Sequence, residues 1–321
     1  MNGLKITALG GGTGLSTMLK GLKLYTPNIS AIVTVADDGG SSGVLRNDYG
    51  MLPPGDVRNC VSALADIDPI AGELLNYRFQ EGNLKGHSLG NLILAALNEM
   101  SGSFEDAVEK FNRLMGVVGT VYPVTNIDVT LHAVLKNGNI IHGESHIGTH
   151  REGAGTEIDR VYLNPEKPQA VEQAIEAILS ADVVVLGPGS LYTSIIPNLL
   201  VDGIADAIKE SKAVKIYVCN IMTQPGETEG YKVSDHLEAL EKHSYRGIAD
   251  AMIVNNAAIP ELLRMKYAAE YAAEVSIDPD RIIDRTALVS GNFLLIKSDK
   301  VRHNFSRLAR TIVTIGKTNL G

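Results

Sequence analysis

Short, uniformly apolar runs alternate along the chain with stretches of helical period, an order that predicts parallel βαβ units. Residues 4–9 predict a first strand, 13–22 a helix and 31–36 a second strand. Later, ADVVVLGPGSLYTSIIP (residues 181–197) predicts a strand, a Gly-Pro-Gly turn and a helix, and residues 214–220 and 249–256 predict further strands. Runs this short, rich in Val and Ile without alternation, suit strands covered on both faces. Between the second strand and residue 115 the pattern changes. A Gly- and Pro-containing connection over residues 37–59 is followed by a helical region over 60–115, in which Leu89, Leu92, Ile93 and Ala96 share one face and Ser88 is placed to cap. From 117 to 148 the period falls toward two, and Asn137-Gly138 predicts a hairpin with a type I′ turn. The chain closes on an amphipathic helix, NFSRLARTIVTIG. The expected fold is therefore α/β and Rossmann-like: a mostly parallel sheet with helices on both faces, a helical insertion and a β-hairpin, in a single domain over residues 1–321.

Composition narrows the function classes. The 321 residues are 45% hydrophobic and 21% charged, ordinary for a globular protein with a large core. No apolar run reaches the roughly 18 residues of a membrane span, and no export signal opens the chain, so no membrane insertion and a cytoplasmic location are expected. Cys60 and Cys219 have no metal-like spacing. The net charge of −8, with no Trp and five Phe, argues against a nucleic-acid partner.

Candidate chemistry concentrates in three stretches. In the opening turn, Gly11, Gly12, Thr13 and Gly14 lie where a strand meets a helix. The spacing fails the dinucleotide fingerprint, since Leu15 or Thr17 stands at its third position. Glycines ahead of a helix still let backbone N–H groups reach a phosphate or pyrophosphate, with Thr13 as cap and donor. The alternative is a tight turn needed only for packing. In ADDGGSSGVLR (residues 36–46), Asp37 stands at the end of the second strand, where a carboxylate can grip a ribose diol. Asp37 and Asp38 could instead hold Mg²⁺ beside a phosphate, or form an Asx turn. Arg46 and Arg58 flank this stretch as candidate diphosphate ligands. The third stretch, GPGSLYTS, repeats the strand–glycine–helix arrangement with Gly187, Gly189, Ser190 and Thr193. Two such cradles converging on one crevice fit a diphosphate better than a single phosphate. In GHSLGN, His87, Ser88 and Asn91 offer a further polar wall, and the spacing of His142, His146 and His150 raises zinc as a weaker reading.

Taken together, GGGTGLSTMLKGL, VTVADDGGSSGVLR, PPGDVRN, GHSLGN and LGPGSLYTSIIPNL resemble the gluconeogenesis-factor family (YvcK type), relatives of the CofD-type 2-phospho-L-lactate transferases. The resemblance runs over nearly the whole chain. It implies a Rossmann-like bacterial cytoplasmic protein that binds nucleotide-sugars of the UDP-N-acetylglucosamine kind. It also implies support of cell shape and wall maintenance during gluconeogenic growth, with cell-wall synthesis proteins as partners and self-association into a homo-oligomer left open. In the transferase relatives the pocket holds a deazaflavin and a guanine nucleotide with Mg²⁺ assisting, and Asp37 matches their acceptor-contacting acid. The run DDGGSSG departs from the transferase pattern. The motifs bring Asn59 of PPGDVRN into the expected site, and family contacts in the C-terminal third map onto Tyr267, with Tyr271 close by, and onto Arg302. Three activities follow as alternatives: a non-catalytic nucleotide-sugar-binding regulator, a Mg²⁺-dependent transferase with Asp37 as catalytic candidate, or an NAD-type dinucleotide binder.

Overall fold

A computed structural model describes residues 3–149, 157–282 and 284–319. Its strands are β1 (Ile6–Gly10), β2 (Ile29–Val33), β3 (Thr120–Pro123), β4 (Thr130–Leu135), β5 (Ile140–His142), β6 (Ile158–Asn164), β7 (Val183–Leu186), β8 (Val214–Val218), β9 (Ala251–Asn255), β10 (Ala287–Gly291), β11 (Leu294–Lys297) and β12 (Lys300–His303). Seven of them form one parallel sheet in the order β10-β9-β8-β7-β1-β2-β3. Every residue of β1 and β7 is buried, as the unbroken apolar runs require when helices flank the sheet. β2 begins at Ile29, two residues before the apolar run, and ends at Val33. The Thr34 N–H still donates to Gly10 O at 3.1 Å.

The expected α/β architecture is present, with corrections in detail. The stretch 37–59 is not one long connection. It folds into the helix Gly40–Tyr49 and the start of the helix Gly55–Leu64. The first of these carries Gly and Ser through its opening turn, and Val44 and Leu45 are its only aliphatic residues, so no apolar stripe announces it. Its stop signal is Gly50, whose left-handed φ of +61° caps the C-terminus. The second follows Pro53-Pro54 and buries Val57, Cys60, Val61 and Leu64, the i, i+3, i+4, i+7 face of a helix. Pro69–Asn76, Leu89–Glu99 and Phe104–Leu114 complete the insertion between β2 and β3.

β5, β4 and β6 make a separate antiparallel sheet. Its β4–β5 turn is not type I′, because only Gly138, at +89°, has a positive φ there. Gly138 N–H donates to Leu135 O at 2.9 Å, closing an ordinary turn that uses one permissive residue instead of two. The C-terminal helix Phe305–Asn319 packs on Gly12–Leu22, where a Cβ on Gly21 would lie 2.9 Å from Ala309 Cβ. β11 and β12 form an antiparallel hairpin. Apart from the main core, Ile221, Met222, Ile259 and Val301 make a small apolar cluster with Leu263, Tyr267 and Leu294 against it. Among the described residues no helix is long and apolar enough to cross a membrane.

Candidate functional site

The chain leaves β1 toward β2 and β3 in one direction across the sheet, while β7 leads to β8, β9 and β10 in the other. The crevice beyond the carboxyl ends of β1 and β7 is thus the topological switch point, where open α/β sheets bind ligands. Both glycine turns meet there. A Cβ on Gly14 would stand 2.5 Å from Pro188 O and 3.1 Å from Gly189 Cα, so the two turns are in backbone contact. Asn198, fully buried, fastens them by donating from Nδ2 to Gly10 O at 3.2 Å and to Ser194 O at 2.8 Å.

The helix cap falls on Gly11, not on Thr13, and Gly11 has no side chain to cap with. Gly12 has φ +65°. Thr13 instead occupies the first turn, exposed to the crevice. Leu191–Ile195 forms a π-helical turn, with Ile195 N–H donating to Ser190 O at 3.0 Å.

A cavity of about 420 Å³ opens over these turns. It brings together Gly11, Gly12, Thr13, Gly14, Gly189 and Ser190 from the two glycine motifs with Tyr267 and Arg302 from the C-terminal third. Tyr267, not Tyr271, is the tyrosine that lines it, and its hydroxyl accepts from Val301 N–H at 2.9 Å. Gly187 stands behind the wall, donating to Leu9 O at 2.9 Å. Sequence reading missed the segment Asn220–Pro225 and His303, which close the far side. Nothing in their local pattern marks them; the β8 turn reaches the crevice because β8 neighbours β7.

Asp37, Asp38, Asn59, His87 and Asn91 do not line this cavity; each is held by protein groups outside it. Asp37 Oδ1 accepts from Gly39 N–H at 2.9 Å, and Asp38 Oδ1 accepts from Ser145 N–H at 2.8 Å. Ser41 Oγ lies 3.0 Å from His87 Nδ1 and accepts from Asn91 Nδ2 at 3.0 Å. Ser88 caps its helix by accepting from Asn91 N–H at 3.3 Å. Arg58, buried, donates to Asn91 Oδ1 at 3.3 Å and Asn76 Oδ1 at 2.5 Å. Arg46 pairs with Asp128 at 2.7 Å. Both arginines are thus engaged by protein groups rather than turned to the cavity as diphosphate ligands.

Two acids missed in the sequence connect the compartments. Asp56 accepts from Gly12 N–H and from the Asn59 side chain. Desolvation, then the charge of Asp37, pushes its carboxyl up to about 6 against those bonds and Arg58. Glu227, buried, accepts from Ser190 Oγ and Tyr192 N–H, and desolvation pushes it up to about 7. Thr193 Oγ1 donates to Ser190 Oγ at 2.7 Å. Glu144 is also pushed well up, by desolvation and then by Asp56, Asp37, Glu227 and Asp38, and its Oε2 is buried without a hydrogen-bond partner. The glycine turns and Arg302 therefore line the cavity, while the desolvated acids stand behind that lining, Asp56 on Gly12 and Glu227 on Ser190.

Of the three candidate zinc histidines, two lie among the described residues, and both are engaged by the protein. His142 Nδ1 lies 2.8 Å from His132 Nδ1, His146 Nδ1 bonds His142 O at 2.9 Å, and His150 lies outside the described residues. Among the described residues no group of three or more His, Cys, Asp or Glu is arranged to hold a metal ion.

Comparison with known proteins agrees with this architecture. The family model described as 2-phospho-L-lactate transferase CofD matches residues 6–294. A putative gluconeogenesis factor of Clostridium acetobutylicum is 49% identical over 98% of this chain and 70% of its own length. The gluconeogenesis factor of Bacillus subtilis is 44% identical over 98% of each chain. A crystal structure of a UPF0052 family member from Bacillus halodurans superposes with a TM-score of 0.93 at 44% identity, covering 98% of this chain and 99% of that one. The chain belongs to the 2-phospho-L-lactate transferase CofD family, in company with the gluconeogenesis factors.

Proposed function

We infer that the protein binds a nucleoside diphosphate-sugar of the UDP-N-acetylglucosamine kind and acts as a regulator of cell shape and wall maintenance under gluconeogenic growth. The observation that carries this reading is the backbone contact between the Gly14 and Gly189 turns at the switch point. Two sets of N–H groups and one helix N-terminus then serve a single anion site, which suits a diphosphate. In this reading Asp37, half-buried outside the cavity, takes a sugar hydroxyl, Asn91 supports that wall through Ser41 and Arg58, and Arg302 neutralises phosphate charge. The names of the relatives support a role in gluconeogenic metabolism.

Calorimetry tests it. UDP-N-acetylglucosamine is expected to bind saturably with one site per chain, and no heat at millimolar ligand overturns the reading. Arg302→Ala is expected to weaken binding roughly tenfold, the size of one charge-assisted hydrogen bond, with Arg302→Lys intermediate because lysine keeps the charge but not the fork. Equal affinities in parent and Arg302→Ala would remove Arg302 from the site.

A second reading, Mg²⁺-dependent group transfer, is favoured by the family match and by the carboxylates gathered beside the glycine turns. It places Asp37 at the metal and predicts metal-dependent turnover of a nucleoside diphosphate donor. Tight binding without turnover across a donor panel excludes it.

A further inference from the structure

We propose that the turn after β8 is the nucleobase subsite, with Asn220 and Gln224 reading the polar edge of the base. This rests on the diphosphate reading above and fixes the ligand's direction in the crevice. β1, β7 and β8 are consecutive in the sheet, and strands lie about 5 Å apart, so the β8 turn stands roughly 10 Å from the Gly12 turn. A diphosphate seated on Thr13, Gly14 and Gly189 therefore reaches the β8 turn with its nucleoside, while its other end points away from β8, toward the β2 side of the sheet.

The chemistry of the β8 turn suits a base and not a sugar. Its walls include the apolar groups Ile221, Met222, Ala272, Val301 and the ring of Tyr267. A hexose, with hydroxyls on every side, would leave those groups facing polar atoms, whereas a base offers apolar faces and one polar edge. Asn220, Thr223, Gln224, Glu270, Arg302 and His303 stand among these walls, and His303 Nε2 is engaged by Cys219 O at 3.2 Å. Thr223 Oγ1 accepts from Ala273 N–H at 2.8 Å. Asn220 Nδ2 donates to Gln224 Oε1 at 3.1 Å, which aligns the two amides. That bond uses neither Asn220 Oδ1, an acceptor, nor the Gln224 NH₂, a donor, and both residues line the cavity. An acceptor beside a donor complements an imide edge, N–H beside C=O, as in uracil.

The test compares ligands with and without a base. In calorimetry of the full chain, Gln224→Ala and Gln224→Glu are expected to weaken UDP binding tenfold or more and to leave inorganic pyrophosphate binding unchanged. The Glu variant keeps the side-chain size while exchanging the donor for a charged acceptor, and melting curves confirm that both variants fold. UDP affinity equal to the parent's in both variants, or a matching loss for pyrophosphate, overturns the base subsite and leaves the diphosphate reading standing. A parent protein that binds neither UDP nor pyrophosphate overturns both.

Discussion

Gly14→Ala is expected to weaken UDP-N-acetylglucosamine binding by roughly a hundredfold and to cost about 1–3 kcal/mol of stability. Gly14 lies inside the helix Gly12–Leu22 and has no positive φ, so alanine suits its backbone conformation. The penalty comes only from the neighbour. The new methyl would start 2.5 Å from Pro188 O and 2.9 Å from the Pro188 carbonyl carbon, both backbone atoms that cannot rotate away. Relief requires the two glycine turns to separate by roughly 1 Å, and a shift of that size is enough to misalign paired N–H donors on one ligand. Gly72→Ala is the control. Gly72 sits in the helix Pro69–Asn76 with nothing within 4 Å of its ideal Cβ, so alanine there should add about 0.5–1 kcal/mol and leave binding alone. Titration calorimetry with thermal melts separates the effects. Parental affinity in Gly14→Ala would mean that the contact between the turns does not shape the site.

Both glycine turns were legible because their signal is local: apolar strand, glycines, helix. The buried strands were legible for the same reason, since ITALG and VVVL admit no exposed face. The helix Gly40–Tyr49 was hidden because its sequence is built for close approach rather than propensity. A Cβ on Gly43 would strike the Asp38 carbonyl, so the residue that lowers helix propensity is the one that lets the turn pack. Asp56 and Glu227 were missed for a different reason. An acid among neutral neighbours reads as surface in one dimension, and only tertiary packing shows that Glu227 is buried against Ser190. The resemblance, not the pattern, pointed to Tyr267 and Arg302, which reach the cavity from the helix Glu261–Ala269 and from β12. That helix buries none of its residues, so periodicity could not mark it as part of a site.

Glu227→Gln should make the protein markedly less sensitive to a rise in pH from about 5 to 7. Glu227 holds its proton up to about 7 in the folded state against 4.5 as its ordinary value, because desolvation outweighs the bonds from Ser190 and Tyr192. A carboxyl raised on folding binds more protons folded than unfolded. Its contribution is therefore full below about 4.5 and is lost as pH rises through 7. Asp56 acts in the same sense, with its loss centred lower, at about 6. His236 and His303, pushed down to about 4 by desolvation, act oppositely: their contribution is full above about 6.5 and is lost as pH falls through 4. The two pairs offset each other in mild acid, which leaves Glu227 as a main source of slope from about pH 6.5 to just above 7, with Glu144 adding in the same direction. The glutamine variant is neutral throughout and can still accept from Ser190. Between pH 5 and 8 its unfolding free energy should gain about 2.5 kcal/mol on the parent's, or about 4 °C in Tm for a chain of this length. Ligand binding should follow the same charge. A diphosphate beside Ser190 raises the cost of ionising Glu227, so parental binding above pH 7 takes up a proton. The heat of binding then varies with the ionisation enthalpy of the buffer, and in Glu227→Gln this dependence should shrink. Parallel stability slopes in parent and variant, or identical proton uptake, would show that Glu227 is already ionised in the folded protein and does not couple pH to the site.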